Sequence, residues 1–187
     1  MKWMIASDIH GSARFCRELL AAYEREQADR LLLLGDILYH GPRNPLPEEY
    51  APPEVCAMLN PLKQAILCVR GNCDSEVDQM VLQFPIMADY ALVETEAISL
   101  FVTHGHLFHT INPLETEEKL PPLLEGTVLL HGHTHVPAWE RHPGFWYMNP
   151  GSVSMPKNET PRGYMTLEKG LFRWKTLAGD AYHLEQL

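Results

Sequence analysis

Seven residues with metal-binding side chains lie in five short clusters: Asp8 and His10, Asp36, Asn72, His104, and the pair His133 and His135. Each cluster follows an apolar run, at 3–6, 31–34, 65–69, 98–102 and 127–130, where the chain passes into Gly-bounded turn sequence. Short apolar runs ending in turn signals read as buried strands, so polar atoms recur at one strand terminus, the edge where sites assemble in open sheets. Four imidazoles, two carboxylates and one amide oxygen form a mixed borderline and hard donor set. That set suits a pair of divalent Mn, Fe, Zn, Co or Ni ions. One ion would not need seven donors.

Taken singly, the clusters also admit plainer roles. Asp8 and His10 are two apart at a strand end, where alternate side chains point to one side and can grip one ion, but an Asp just before a helix also serves as a cap. Asp36 follows Leu31 to Leu34 and Gly35; a carboxylate beside a fully apolar strand needs a cation or hydrogen-bond donors, unless it is only a turn residue. Gly71 lets the chain turn so that the Asn72 amide can face inward, though the same stretch fits a turn and helix cap. Five of the ten histidines fall within His104-Gly105-His106 and His131-Gly132-His133-Thr134-His135, a density that packing seldom requires. Strand alternation lets only some of these rings face a metal, which gives His106 and His131 supporting or structural places. Asn149-Pro150-Gly151-Ser152 reads most simply as a turn, with Asn149 or Ser152 orienting a ligand histidine as the alternative.

The elements that must position these residues follow from pattern. Ser12 is a suitable cap for a helix with Phe15, Leu19, Ala22 and Tyr23 at helical spacing. A strand at 31–34, a helix from about Pro53 to Leu62, a strand at 65–69 and a short helix from Asp74 or Ser75 complete a parallel βαβ half. From residue 90 onward the pattern is short strands, at 90–94, 98–103, 127–131, 137–142, 145–149, 163–168 and 171–176. Two stranded halves whose turns both carry donors imply two sheets packed face to face, with the site at one end and helices on the outer faces. Trp139, Phe145, Trp146 and Tyr147 read as sheet core in a hairpin. The segment from His40 to Pro53 holds five prolines and is a stiff loop, read as a wall beside the site rather than a linker.

With 187 residues, 45% of them hydrophobic and 21% charged, the chain fits one domain over 1–187. No apolar stretch approaches the ~20 residues of a bilayer span, so no membrane role is expected. Met1 to Asp8 runs straight into a strand and a candidate ligand, which leaves no room for a removable signal segment and points to a cytoplasmic address. Cys16, Cys56, Cys68 and Cys73 form no Cys-x-x-Cys pair, so reduced thiols are expected. A formal charge of −9 argues against capture of duplex nucleic acid, while two divalent ions would locally reverse the sign for a small anionic substrate.

In order along the chain, Asp8-x-His10, Gly35-Asp36, Gly71-Asn72, His104-Gly105 and Gly132-His133-x-His135 resemble the signature of calcineurin-like metallophosphoesterases. Ser-Asp-Ile-His-Gly-Ser at 7–12, Gly-Asn-Cys-Asp-Ser-Glu-Val-Asp at 71–78, Thr-His-Gly-His at 103–106 and Asn-Pro-Gly-Ser-Val at 149–153 are similar to bacterial YfcE-type phosphodiesterases. The resemblance implies an α/β fold, a four-layer α/β/β/α sandwich with two mixed sheets. It implies that Asp8, His10 and His135 hold one ion, that Asn72, His104 and His133 hold the other, and that Asp36 bridges them. Mn2+ is the family's usual activator, with Zn, Fe, Co or Ni as alternatives. The activity implied is hydrolysis of a small phosphodiester by in-line attack of a hydroxide bridging the two ions. Phosphomonoesterase or nucleotidase activity, or a silent scaffold of the same fold, are the alternatives, and homo-oligomer formation is left open. Asp36 and Asn72 are the candidate catalytic residues; His40, Arg70 and Cys73 are candidates for the substrate side.

Two departures from the protein phosphatases of this superfamily bear on chemistry. Where they read Gly-Asp-x-x-Asp-Arg-Gly, this chain has Gly35-Asp36-Ile37-Leu38-Tyr39-His40-Gly41, and their Gly-Asn-His is Gly71-Asn72-Cys73 here. With Tyr39 and Cys73 in place of the Asp–His acid pair, an alkoxide leaves with less help, which predicts slow turnover or a preference for good leaving groups. Two divalent ions, two carboxylates and one hydroxide sum formally to about +1, which one diester charge neutralises. A monoester dianion would need a further cation, such as Arg70 or Arg43.

Overall fold

In the computed structural model, which describes residues 1–108 and 120–187, the first strands are Trp3–Ala6 (β1), Arg30–Leu33 (β2) and Ile66–Cys68 (β3), all parallel. Between β1 and β2 lies the helix Ala13–Glu26 (α1), whose first turn is capped by the Ser12 hydroxyl accepting the Phe15 N–H at 3.3 Å. Its stripe of Phe15, Cys16, Leu19 and Ala22 is buried. The expected second helix ends earlier than its pattern suggested: Pro52–Leu59 (α2) is α-helical, and Asn60–Leu62 tightens into a 3-10 turn. A short helix, Glu76–Val81 (α3), starts at Ser75 with reciprocal Ser75 and Asp78 caps.

The second half supplies Tyr90–Glu94 (β4), Ser99–Thr103 (β5), Thr127–Leu130 (β6), Pro137–His142 (β7), Phe145–Pro150 (β8), Gly163–Glu168 (β9), Leu171–Thr176 (β10) and Ala181–Gln186 (β11). Two mixed sheets form, in the orders β11-β10-β9-β1-β2-β3 and β4-β5-β6-β8-β7. The division into sheets does not follow the division into halves. β9 pairs antiparallel with β1, Trp3 opposite Leu167, and carries β10 and β11 onto the first sheet. The backbone groups along the free side of the buried strand β1 require such a partner. β11 has no sequence signal to match: Ala-Tyr-His-Leu-Glu-Gln lacks a clean apolar alternation because an edge strand is half solvated.

Alternate residues of the first sheet feed two cores. Met4, Ala6, Leu31, Leu33 and Cys68 pack under α1 and α2, while Ile5, Leu32 and Leu34 meet Leu100, Val102, Val128, Leu130 and Met148 between the sheets. Strands buried on both faces explain why β1 and β2 read as unbroken apolar runs. The aromatic core differs from the sequence reading. Tyr147 is buried, but Trp139 is 38% exposed and stacks on His183 at 4.0 Å. Trp174 fills the inter-sheet core instead, its indole N–H donating to the Asn149 carbonyl at 2.8 Å. No helix among the described residues is long and apolar enough to cross a membrane.

The C-terminal end of α1 is pinned across the sheet by Glu26, which pairs with Lys2 at 2.7 Å and with Lys175, and accepts the Tyr164 hydroxyl at 2.8 Å. Burial alone would raise its carboxyl, but Lys175, Lys2 and Tyr164 outweigh that and hold it at about 2, below the ordinary 4.5. A lowered folded-state pKa contributes stability that is present above pH 4.5 and lost as pH falls through about 2. Glu26→Gln is therefore expected to lower stability by ~2 kcal/mol near neutral pH, with the difference from wild type shrinking below pH 4.5, as measured by urea denaturation at a series of pH values.

Candidate metal centre

The C-terminal ends of β1, β2, β3, β5 and β6 meet at one end of the sandwich, joined by bonds that cross between sheets. His104 Nδ1 reaches the Leu34 carbonyl at 2.6 Å, and the Val153 N–H donates to the Ser7 carbonyl at 3.0 Å. The turns that leave these ends are strained in a consistent place. Asp8, His10, Asp36, His133 and His135 all have left-handed backbones, with φ between 51° and 64°. That conformation costs an ordinary residue roughly 1–2 kcal/mol, and Asp and His bear it better than most. Surrounding bonds hold it: the Ser152 and Ser154 hydroxyls both donate to the Asp8 carbonyl at 3.0 Å, and the Asn149 amide donates to the Gly132 carbonyl at 2.8 Å. Gly71 and Gly132 are required by close approach. A Cβ on Gly71 would collide with the Asp36 carboxylate, and one on Gly132 with the Ser7 hydroxyl.

The donor atoms fall into two sets that share one oxygen. In the first, His10 Nε2 lies 3.2 Å from His135 Nε2, 3.6 Å from Asp8 Oδ1 and 3.6 Å from Asp36 Oδ2, with His135 Nε2 3.3 Å from Asp8 Oδ1. In the second, His104 Nε2 lies 3.1 Å from Asn72 Oδ1, 3.2 Å from His133 Nδ1 and 3.5 Å from the same Asp36 Oδ2. Donors at about 2.1 Å from a four- to six-coordinate cation sit roughly 3.0–3.4 Å apart, close to the 3.1–3.6 Å that separate these atoms.

The hydrogen-bonding state of the rings agrees with a cation. His10 Nδ1 faces the Tyr39 carbonyl at 2.8 Å, His104 Nδ1 the Leu34 carbonyl, and His135 Nδ1 the Met155 carbonyl at 2.6 Å. A carbonyl only accepts, so each Nδ1 carries the proton and each Nε2 lone pair points inward. Asp8 Oδ1 is buried and receives no hydrogen bond among the described residues. Facing lone pairs repel unless a proton or a cation lies between them. In the protein alone, protons take that place. Burial opposes a charged His104, but Asp36 and then Asp8 outweigh it and raise the ring to about 9. Burial, then the charge of His104, lowers His133 to about 4. Burial would raise Asp8, yet His135 and His10 hold it well below the carboxylate range.

Asp74 was not singled out from the sequence beyond a helix start. Its buried carboxylate accepts the Asp36 N–H at 2.8 Å, the Gly71 N–H at 2.7 Å and the Ile37 N–H at 2.9 Å. It ties the Asp36 turn to the Asn72 turn, and the only local signal was an acid directly after Gly-Asn-Cys. Asp36 Oδ1 accepts the Cys73 N–H at 2.8 Å, which leaves Oδ2 as the shared oxygen. The Cys73 sulfur comes within 4.8 Å of donors on His10 and Asp36. Burial, then the charge of Asp36, pushes its thiol up, so it stays protonated. Arg70 is paired with Asp89 at 2.6 Å, and His40 is held in the loop between the Tyr39 and Tyr50 rings with its Nδ1 on the Asn44 carbonyl. His131 stacks on Tyr147 at 4.5 Å, and the His106 ring sits 5.4 Å from that of His104. The proline-rich segment lines a cleft with His135, as a wall beside the site.

The chain matches the model of the calcineurin-like phosphoesterase superfamily domain over residues 1–169. It is 48% identical over 168 residues to phosphodiesterase YfcE of Escherichia coli, covering 90% of this chain and 88% of that protein. It is 28% identical over 170 residues to YsnB of Bacillus subtilis, a probable metallophosphoesterase, covering 90% and 85%. The solved structure of the E. coli YfcE phosphoesterase superposes with a TM-score of 0.91 at 44% identity, covering 99% of this chain and 98% of that one.

A raised His104 stabilises the metal-free fold fully below pH 6.5, and that contribution is lost as pH rises through about 9. Cation and proton compete for the same Nε2, so Mn2+ binding near neutral pH is expected to release protons and to tighten as pH approaches 9. Titration calorimetry in buffers of different protonation enthalpy measures this; binding without proton release contradicts it. Asp74→Ala, which strands three backbone N–H groups, is expected to cost about 2–3 kcal/mol and to weaken metal retention roughly tenfold or more. Denaturation and elemental analysis on one preparation check both effects.

Proposed function

The chain belongs to the calcineurin-like phosphoesterase superfamily, and on that premise we propose that it is a metal-dependent phosphodiesterase acting on a small phosphodiester. The observation that carries this reading is the pair of donor sets sharing Asp36 Oδ2. On this reading Asp8, His10 and His135 would hold one divalent ion, Asn72, His104 and His133 would hold the second, and Asp36 would serve both. When bound, two such ions lower the pKa of water and offset the charge that grows on phosphoryl oxygens. Imidazole, carboxylate and amide donors suit Mn2+ without excluding Zn, Fe, Co or Ni.

The protein's own contribution is positioning. Asp36 is oriented by the Cys73 N–H on one oxygen and by Asp74 behind its backbone, so its other oxygen stays aimed inward. Asp8, His10, His104 and His135 are buried, whereas Asn72 and His133 reach the surface, so the substrate approaches from the side of those two. Asn72 directs its carbonyl oxygen toward His104 and its amide nitrogen toward the Cys73 sulfur, an arrangement that leaves an N–H for a phosphoryl oxygen. Preference for a diester rests on charge. Arg70 is engaged by Asp89 and His40 is retained in the loop, which leaves the exposed Arg43, of the two arginines named above, as the one uncommitted candidate for the extra cation that a monoester dianion would need. A protonated Cys73 beside the site is a weak acid, which favours esters with good leaving groups. Four free cysteines accord with a reducing, cytoplasmic setting.

The test is hydrolysis of matched p-nitrophenyl diester and monoester substrates by Mn2+-loaded protein. Diester turnover is expected to exceed monoester turnover, and Asp36→Asn or His133→Ala is expected to lower it by about 10³-fold. Wild-type rates in a clean Asp36→Asn preparation would end this reading.

A further inference from the structure

Beside His135 opens a cavity of about 390 Å³ that none of the chemistry above uses. One wall is the proline-rich loop, with Pro45, Leu46 and Pro47; the opposite wall is the turn of Met155, Pro156 and Lys157, closed by Arg162. We infer that this cavity receives one ester arm of the diester, and that the arm it takes ends in a second phosphate, met by Lys157 and Arg162. The inference rests on the phosphodiesterase reading and extends it to a substrate class.

The cavity is built onto the centre. His135 donates from Nδ1 to the Met155 carbonyl at 2.6 Å, and the Lys157 N–H donates back to the His135 carbonyl at 3.2 Å. The wall and a candidate metal donor are therefore tied together by two hydrogen bonds. Arg162 is fixed as well. Its Nε donates to the Ser154 carbonyl at 3.1 Å, and its guanidinium lies over the Phe15 ring at 4.3 Å, which leaves the terminal nitrogens without a hydrogen-bond partner among the described residues. A guanidinium held this way meets a phosphate with little loss of freedom.

Charge selects the arm. Neither Lys157 nor Arg162 has an acidic partner among the described residues, in a chain of formal charge −9. Two cations of the helix α1 beside it are satisfied: Arg14 pairs with Glu18 and with Glu48, the one acid lining this cavity, and Arg17 pairs with Glu49 and Glu54. Two uncommitted cations match a phosphate monoester dianion. Leu46 and Met155 give the cavity an apolar lining beside these cations, which suits a short carbon chain linking the two phosphates. A cavity of this volume holds such an arm.

The experiment compares p-nitrophenyl propyl phosphate with the same diester carrying a terminal phosphate on its propyl arm. Wild-type Mn2+-loaded protein is expected to favour the phosphorylated substrate by about tenfold in kcat/KM, mainly through KM. In Lys157→Ala combined with Arg162→Gln, that ratio is expected to fall to near one. Calorimetry gives an independent reading, with propanediol bisphosphate expected to bind wild type about tenfold more tightly than propyl phosphate and the variant to lose the difference. Lys157→Ala alone, on an exposed side chain, keeps the test valid if the double variant has a lowered unfolding midpoint. A ratio near one in wild type, or a preference that survives both substitutions, overturns the inference. If wild type hydrolyses neither diester yet binds the bisphosphate preferentially through these two residues, the phosphodiesterase reading falls and the anion-binding cavity stands.

Discussion

Imidazole nitrogens from His10, His135, His104 and His133 converge with two carboxylates and an amide oxygen, their lone pairs 3.1–3.6 Å apart. Electrostatics opposes such a convergence of acceptors in a buried place, and only positive charge among them reverses the sign. Much of the surrounding structure works against that repulsion. Backbone carbonyls of Tyr39, Leu34 and Met155 fix three rings in the tautomer that presents Nε2 inward. Serines 152 and 154, Asn149 and Asp74 hold the turns in left-handed conformations that the chain would otherwise relax. Strain and repulsion are both concentrated at the centre, where a cation would relieve the repulsion.

The sandwich makes this concentration possible because each sheet ends its parallel strands at the same side. Three strand ends of the six-stranded sheet bring Asp8, His10, Asp36 and Asn72; two of the five-stranded sheet bring His104, His133 and His135. Neither sheet alone holds a complete donor set. Packing between the sheets, through Leu32, Leu34, Val102, Leu130 and Trp174, therefore sets the distances within the centre. Around it, the charge distribution is uneven for so acidic a chain. Arg70 is neutralised by Asp89, while Lys157 and Arg162 are left unneutralised on the far side of His135. On the proposed reading, the centre accommodates a single phosphate charge and the cavity beside His135 a second.

Legibility in the sequence followed the range of the interactions. Ser12 as a cap, the apolar runs of β1, β2 and β6, the β7–β8 hairpin and the short helix after Ser75 depend on neighbours a few residues away, and they were readable within one or two positions. Assignment of β9 and β10 to the first sheet depends on the pairing of β9 with β1 across more than a hundred residues, burial of Trp174 in place of Trp139 follows from how the two sheets then pack, and β11, though it pairs with its chain neighbour β10, is an edge strand without an apolar alternation. No local pattern encodes that choice. Asp74 illustrates the limit within the site, since an acid before a helix looks like a cap until the N–H groups of Asp36 and Ile37, from one distant turn, are seen to join that of Gly71 on it.

What the sequence determined by itself was the inventory: which donor types are available, that they follow apolar strands at turns, and that their order resembles one family. The tertiary structure decided the rest. It chose which atoms face one another across a separation of 125 residues in the chain, which nitrogen of each ring keeps its proton, and which cations stay free beside the centre. The physical reason is that coordination geometry is a property of distances of a few ångströms. Those distances arise only when two sheets, each folded by its own local pattern, are brought face to face by the burial of apolar surface between them.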